Sequence, residues 1–146
     1  MNKKRFWAVF IIASAIPFFG VRYSLDQSRQ ALIIKDIEAG FVLAEEALSA
    51  ELPLRIDEHT VLARVKAAGI IFSYDYIVND VENMGDQDKL IDVFRPLVAA
   101  DVCNRIDMVR FMGYGARYVY TYSFEDGRNI GSFAFTKAIC APTVTP

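Results

Sequence analysis

Between Leu25 and Leu48 apolar residues recur at Ile33, Ile34, Ile37, Phe41 and Ala44, at the spacing of one helix face. The spacing predicts a long amphipathic helix over residues 25 to 50. Ser24 followed by Gln27 reads as a capping box at its start. Pro53 ends it, because the residue before a proline avoids helical backbone. Gly40 falls inside and weakens the helix by roughly 1 kcal/mol relative to alanine. The period then changes to two. Val61, Ala63, Val65 and Ala67 alternate with Leu62, Arg64 and Lys66. After a turn at Ala68-Gly69, Ile70, Phe72, Tyr74, Tyr76 and Val78 alternate with Ser73 and Asp75. Two such runs about a tight turn predict a β-hairpin.

Asn79 to Gln87 is polar and reads as a loop. Asp86 or Asp88 then caps a second helix through Leu90, Val93, Phe94, Leu97 and Val98. Pro96 within it predicts a kink or an early break. Ile106, Met108, Val109 and Phe111 give one or two more helical turns, stopped by Gly113 and Gly115. A second hairpin follows. Its first strand sets Tyr118, Tyr120, Tyr122 and Phe124 on one face, Asp126-Gly127 supplies the turn, and Phe133 and Phe135 share a face of the return strand. This order predicts an α+β fold. A long N-terminal helix accompanies a mainly antiparallel sheet of about four to five strands, with short helices on one face and one disulfide. The implied segments are 1–23, a membrane anchor or signal; 24–52, the amphipathic helix; 53–140, a stapled α+β domain; and 141–146, a flexible tail.

The N-terminus adds a location. Lys3, Lys4 and Arg5 precede Phe6 to Val21, an uncharged and largely apolar run. A basic start before such a run directs the rest of a chain across a bacterial inner membrane. Ala13-Ser14-Ala15 fits a cleavage site with a short apolar core ahead of it, and the whole run is slightly short for a spanning helix. Both an uncleaved single-pass anchor through residues 6–21 and release into the periplasm stay open, the anchor being preferred. No cysteine precedes position 103, so no lipobox is present. Setting aside Lys3, Lys4, Arg5 and Arg22 leaves 12 basic against 18 acidic residues, a net charge of −6. A domain so charged has no general attraction for nucleic acid.

Beyond the membrane, an oxidising space lets Cys103 and Cys140 form a stable bridge. Their wide separation marks a structural link rather than a redox pair. Asp57-Glu58-His59 sits in an extended segment where neighbouring side chains diverge, and His59 is the only histidine, so no metal centre is expected. Asp80 to Ile91 has Met84 and Ile91 where a calcium loop needs oxygen ligands. Gly113-Tyr114-Gly115 precedes a strand, unlike a dinucleotide fingerprint. No motif organises a catalytic mechanism, and no cofactor is implied. The stripe Tyr118, Tyr120, Tyr122 and Phe124 has two readings. One is a sheet face packed under the helices. The other is a partly exposed platform for a protein partner or a sugar, rimmed by Arg117, Asp126 and Arg128.

The run Val102-Cys103, a short helix over 104–112, Gly113-Tyr114-Gly115, a tyrosine-rich strand, Glu125-Asp126-Gly127, a return strand and Cys140 resembles the disulfide-bearing pilotins of type II secretion systems. The resemblance covers roughly residues 55 to 140. It implies a small periplasmic α+β domain that binds a segment of an outer-membrane secretin. Pilotins carry a lipobox cysteine, which this chain lacks, and their secretin-gripping residues do not transfer from these motifs. The expectation is a non-enzymatic periplasmic protein-binding module of an envelope or secretion assembly, with a protein partner. The alternative is an exported inhibitor or immunity protein acting on a cell-envelope hydrolase, with Asn79 to Asp88 as its inhibitory loop.

Overall fold

The computed structural model describes residues 3–79, 86 and 89–140, with the backbone alone over 3–25. The side chains of the 6–21 run, most of the Asn79–Asp88 loop and the 141–146 tail lie outside the described residues. Two units divide the chain at Lys35 and Asp36. In the first, helix α1 (Lys3–Ser49) runs through Ser24. Ser24 is therefore inside the helix and does not cap it. Among the described residues no helix is long and apolar enough to cross a membrane. The reading of residues 6–21 as an anchor thus draws no support from the structure.

The second unit holds the rest of α1 and a five-stranded sheet. The strands are β1 (Leu54–Arg55), β2 (Thr60–Ala68), β3 (Ile71–Val78), β4 (Arg117–Phe124) and β5 (Asn129–Phe135). They lie side by side in chain order. All neighbours are antiparallel except β3 and β4, which are parallel. A parallel pair needs a crossover rather than a hairpin. Helices α2 (Leu90–Asn104) and α3 (Ile106–Gly113) make it. The fold is α+β, as the sequence order predicts.

Two local departures have clear causes. A bulge at Ala63 separates Leu62, opposite Tyr76, from Arg64, opposite Asp75. One extra residue reverses the facing of a strand. Leu62 and Val65 are consequently both buried on the helix-covered face, where strict alternation sets them apart. The turn of this hairpin is Gly69-Ile70, one residue later than expected, and Gly69 takes a left-handed φ of 58°. Helix α2 does not break at Pro96 but continues to Asn104. Pro96 is exposed, so the Asp92 carbonyl that loses its partner faces water. Its N-cap is Lys89, with no side-chain cap bond, in place of Asp86 or Asp88. Asp86 instead pairs with Lys89 at 3.0 Å.

The core lies between the sheet and the helices. Phe41 of α1 meets Phe72 and Tyr118 with ring centres 5.3 and 5.6 Å away, both edge-on. Full burial of one such side chain stabilises by about 1.5–3 kcal/mol. Glu45, a turn further on, accepts a hydrogen bond from the Ala67 amide at 2.9 Å. That amide lies on β2 beyond the short reach of β1. At the far side of the sheet α2 settles on β5. A Cβ at Gly131 would stand 2.7 Å from Cγ1 of Ile91, so only glycine admits this approach. Cys103 and Cys140 are bonded, with Cα atoms 5.3 Å apart. The bond fastens the segment after β5 to the last turn of α2.

Candidate functional site

The parallel register of β3 and β4 sets Phe72 beside Tyr118, Tyr74 beside Tyr120, and Tyr76 beside Tyr122. Because each strand alternates with period two, all six rings share the helix-covered face. The rings stack across the strands, Tyr74 on Tyr120 at 4.9 Å and Tyr76 on Tyr122 at 5.0 Å between centres. Phe94 of α2 extends the stack over Tyr122 at 4.7 Å. Offset ring pairs of this kind add to the energy of burial.

Burial is the main reason that the phenols of Tyr74, Tyr76, Tyr118 and Tyr120 are held above their ordinary pKa. Burial, reinforced by the Asp57 carboxylate, pushes Tyr122 up to about 12. The array is therefore neutral at any physiological pH. It offers ring faces and hydroxyl groups, and no general base.

The helices leave this floor partly uncovered. One lobe of a groove, about 580 Å³, lies between α1 (Gly40, Phe41, Ala44, Leu48) and α3 (Ile106, Met108, Phe111), above Phe72, Tyr74 and Tyr118. A second lobe, about 550 Å³, lies beside α2 (Phe94, Leu97, Val98) above Tyr74, Tyr76, Tyr120 and Tyr122. Leu48, Tyr74, Arg105 and Met108 line both, so the lobes adjoin. The rim is apolar and open: Ile106 is 83% exposed, Leu97 66% and Ile56 52%.

Arg105 stands where the lobes meet, at the extended residue that separates α2 from α3. Its Nε donates to Asp101 Oδ2 at 3.0 Å and its Nη2 to Asp101 Oδ1 at 3.3 Å. These bonds raise the guanidinium pKa further. Asp57 and Asp101 line the second lobe and Asp107 the first. The groove is thus lined by three carboxylates and one guanidinium, and Arg110, outside the lining, pairs with Asp107 at 3.7 Å.

The residues singled out from sequence divide. Tyr118, Tyr120 and Tyr122 are buried by their own fold and form the deep floor of the groove, which agrees with the packed-face reading. Phe124 is buried but lines neither lobe. Arg117, at the start of β4, donates its amide to Ile70 and lines neither lobe. Asp126 and Arg128 hold the β4–β5 turn. The Arg128 amide and Nε both donate to the Asp126 carboxylate, at 2.9 and 2.7 Å, and those bonds lower the Asp126 pKa. The Arg128 guanidinium lies 4.7 Å over the Phe124 ring. None of these three polar residues rims the groove. Its polar edge is Asp57, Asp101, Arg105 and Asp107, and its apolar edge is Ile56, Leu97 and Ile106. Sequence reasoning missed these. The available signal was the apolar crowding of α2 and α3, which carry more large side chains than one buried stripe can use.

No family model and no curated protein sequence matches the chain. Solved structures do resemble it. A pilotin of the type 2 secretion system of Vibrio vulnificus, EpsS, is 17% identical, with a TM-score of 0.64 over 75% of this chain and 96% of its own. The type II secretion system pilotin AspS of Vibrio cholerae is 20% identical, with a TM-score of 0.56 over 73% and 94%. A Pseudomonas aeruginosa protein described as secreted is 14% identical, with a TM-score of 0.62 over 73% and 94%. The chain has a pilotin-like fold.

Proposed function

We propose that the chain is a non-enzymatic protein-binding module of the bacterial envelope, acting as pilotins do within a secretion or related assembly. The observation that carries this reading is the two-lobed groove, with a neutral tyrosine floor and an open rim of Ile56, Leu97 and Ile106. Exposed apolar residues at the edge of a concave aromatic surface suit an amphipathic segment laid into a groove. Asp101 and Asp107 are paired with Arg105 and Arg110, and the Asp57 carboxylate of the second lobe favours lysine or arginine on the polar side of that segment. The likeness to two pilotins supports the choice of a protein partner. The disulfide and the apolar N-terminal run support a periplasmic site of action. In that setting residues 6–21 hold the domain at the inner membrane or are removed after export.

A photo-cross-linking residue at Leu97 or Ile106 of the full-length chain in living cells tests this, with Arg64 on the opposite sheet face as control. The expected result is an adduct from Leu97 and Ile106, absent from Arg64, with a subunit of an envelope assembly, mapped to an apolar segment flanked by basic residues. Adducts from Arg64 alone would count against the groove. Capture of a cell-wall hydrolase would replace this reading with that of an exported inhibitor.

A further inference from the structure

The groove floor carries hydroxyl groups that the fold itself does not use. Among the described residues, no hydrogen bond reaches the phenol oxygen of Tyr74, Tyr76, Tyr118, Tyr120 or Tyr122, and none of the five oxygens is sealed from water. Buried tyrosines usually find a partner for the hydroxyl within their own protein. Here five do not, although their rings are packed and Tyr118, Tyr120 and Tyr122 are only 3%, 6% and 5% exposed. The little surface that these side chains keep therefore includes the hydroxyl, and all five line the groove.

The hydroxyls are spread unevenly. Tyr76, Tyr120 and Tyr122 belong to the second lobe alone, Tyr118 to the first alone, and Tyr74 to both. Phe41, Phe72 and Phe111 belong to the first lobe alone. One floor is thus mostly hydrocarbon, and the other is a set of four hydroxyls. Stacking of Tyr74 on Tyr120 and of Tyr76 on Tyr122 holds those four rings in place before anything binds. Bonding to them therefore costs little further ordering.

The two floors select different side chains. An apolar group laid over the second lobe strips water from hydroxyls and returns no bond, which weakens binding at each one. A neutral amide or hydroxyl returns the bond, since a phenol both donates and accepts. In the first lobe the balance reverses, because phenylalanine rings leave a buried amide without a partner. We infer, given that the groove holds a protein segment, that this segment presents glutamine, asparagine, serine or threonine to the second lobe and a large apolar side chain to the first. The hydroxyls of Tyr74, Tyr76, Tyr120 and Tyr122 are then specificity determinants. They set which part of the segment lies in which lobe, and they reject a segment that is apolar throughout.

The test uses full-length chain in living cells with a photo-cross-linking residue at Leu97, which lines the second lobe. Tyr76→Phe combined with Tyr120→Phe removes two hydroxyls and keeps both rings. The adduct yield should fall at least about tenfold, since each lost hydrogen bond weakens binding several-fold. Tyr114→Phe, outside both lobes, should leave the yield unchanged. The melting temperature of the double variant should match or exceed that of the unaltered chain, because neither hydroxyl bonds within the fold. A Leu97 adduct whose yield holds or rises in the double variant would overturn this inference and leave the groove as the docking site. So would an adduct mapped to a segment that is apolar at every buried position. Absence of any Leu97 adduct from the unaltered chain would overturn both the docking site and its hydroxyl selectivity.

Discussion

The Cys103–Cys140 bond encloses α3, β4 and β5, with a sequence separation of 37. Alanine at both positions removes the covalent loop while leaving small apolar side chains behind. In the chain-entropy account the closed loop withholds about 2.1 + 1.5R ln n cal/mol/K from the denatured ensemble. With n of 37 that is about 4 kcal/mol at room temperature. For a domain of this size, each kcal/mol shifts the midpoint by about 4 °C, so the melting temperature should fall by about 15 °C. Urea titration followed by circular dichroism measures the free energy directly. The slope should rise, because an unlinked denatured chain exposes more surface. A loss below about 1 kcal/mol would refute the reasoning. It would mean that the denatured state keeps the two segments together without the bond, or that the bond strains the native fold. The consequence reaches the groove. Cys103 directly precedes Asn104 and Arg105, which line it. The double variant should therefore lose partner binding at temperatures where most of its helix signal persists, which locates the first opening at the α2–α3 junction.

Gly131→Ala should cost about 1–3 kcal/mol, since the added methyl meets Ile91 at 2.7 Å. Adding Ile91→Ala should return part of that cost in a double-mutant cycle of thermal unfolding. Simple additivity of the two changes would show that the Gly131 backbone, rather than the α2 contact, sets the requirement. Five tyrosines have raised pKa values, so their protonated state stabilises the fold below pH 10, and that stability is lost as pH climbs from there through about 12 for Tyr122 and beyond for others. The ultraviolet phenolate signal should appear in one cooperative step together with loss of the circular dichroism signal. Independent ionisation near pH 10 with the fold intact would contradict the buried array.

Local pattern reaches the fold wherever the physics is local. Alternation in residues 117–124 reports a one-sided strand because each side chain there meets either core or solvent, and Tyr118, Tyr120 and Tyr122 are buried accordingly. The cysteine pair is legible for a different reason. A chain with only two thiols has one possible intramolecular bridge. Local pattern fails where one residue changes phase or where the partner is distant. Ala63 looks like any small strand residue, yet as the bulge it carries Leu62 into the core. Strand β1 has two residues, too few for any period to register. The pairing of β3 with β4 spans both helices, and no local feature of either strand encodes it. That pairing matters most for the site. Each strand alone shows a row of aromatic residues suited to a core. Only their juxtaposition makes a surface two tyrosines wide, broader than α2 and α3 cover, and the uncovered part is the groove. Arg105 follows the same logic. It is unremarkable as one of 16 basic residues, and gains its position from the helix break that sets it between the lobes. The groove of this protein is a property of topology acting on two ordinary strands.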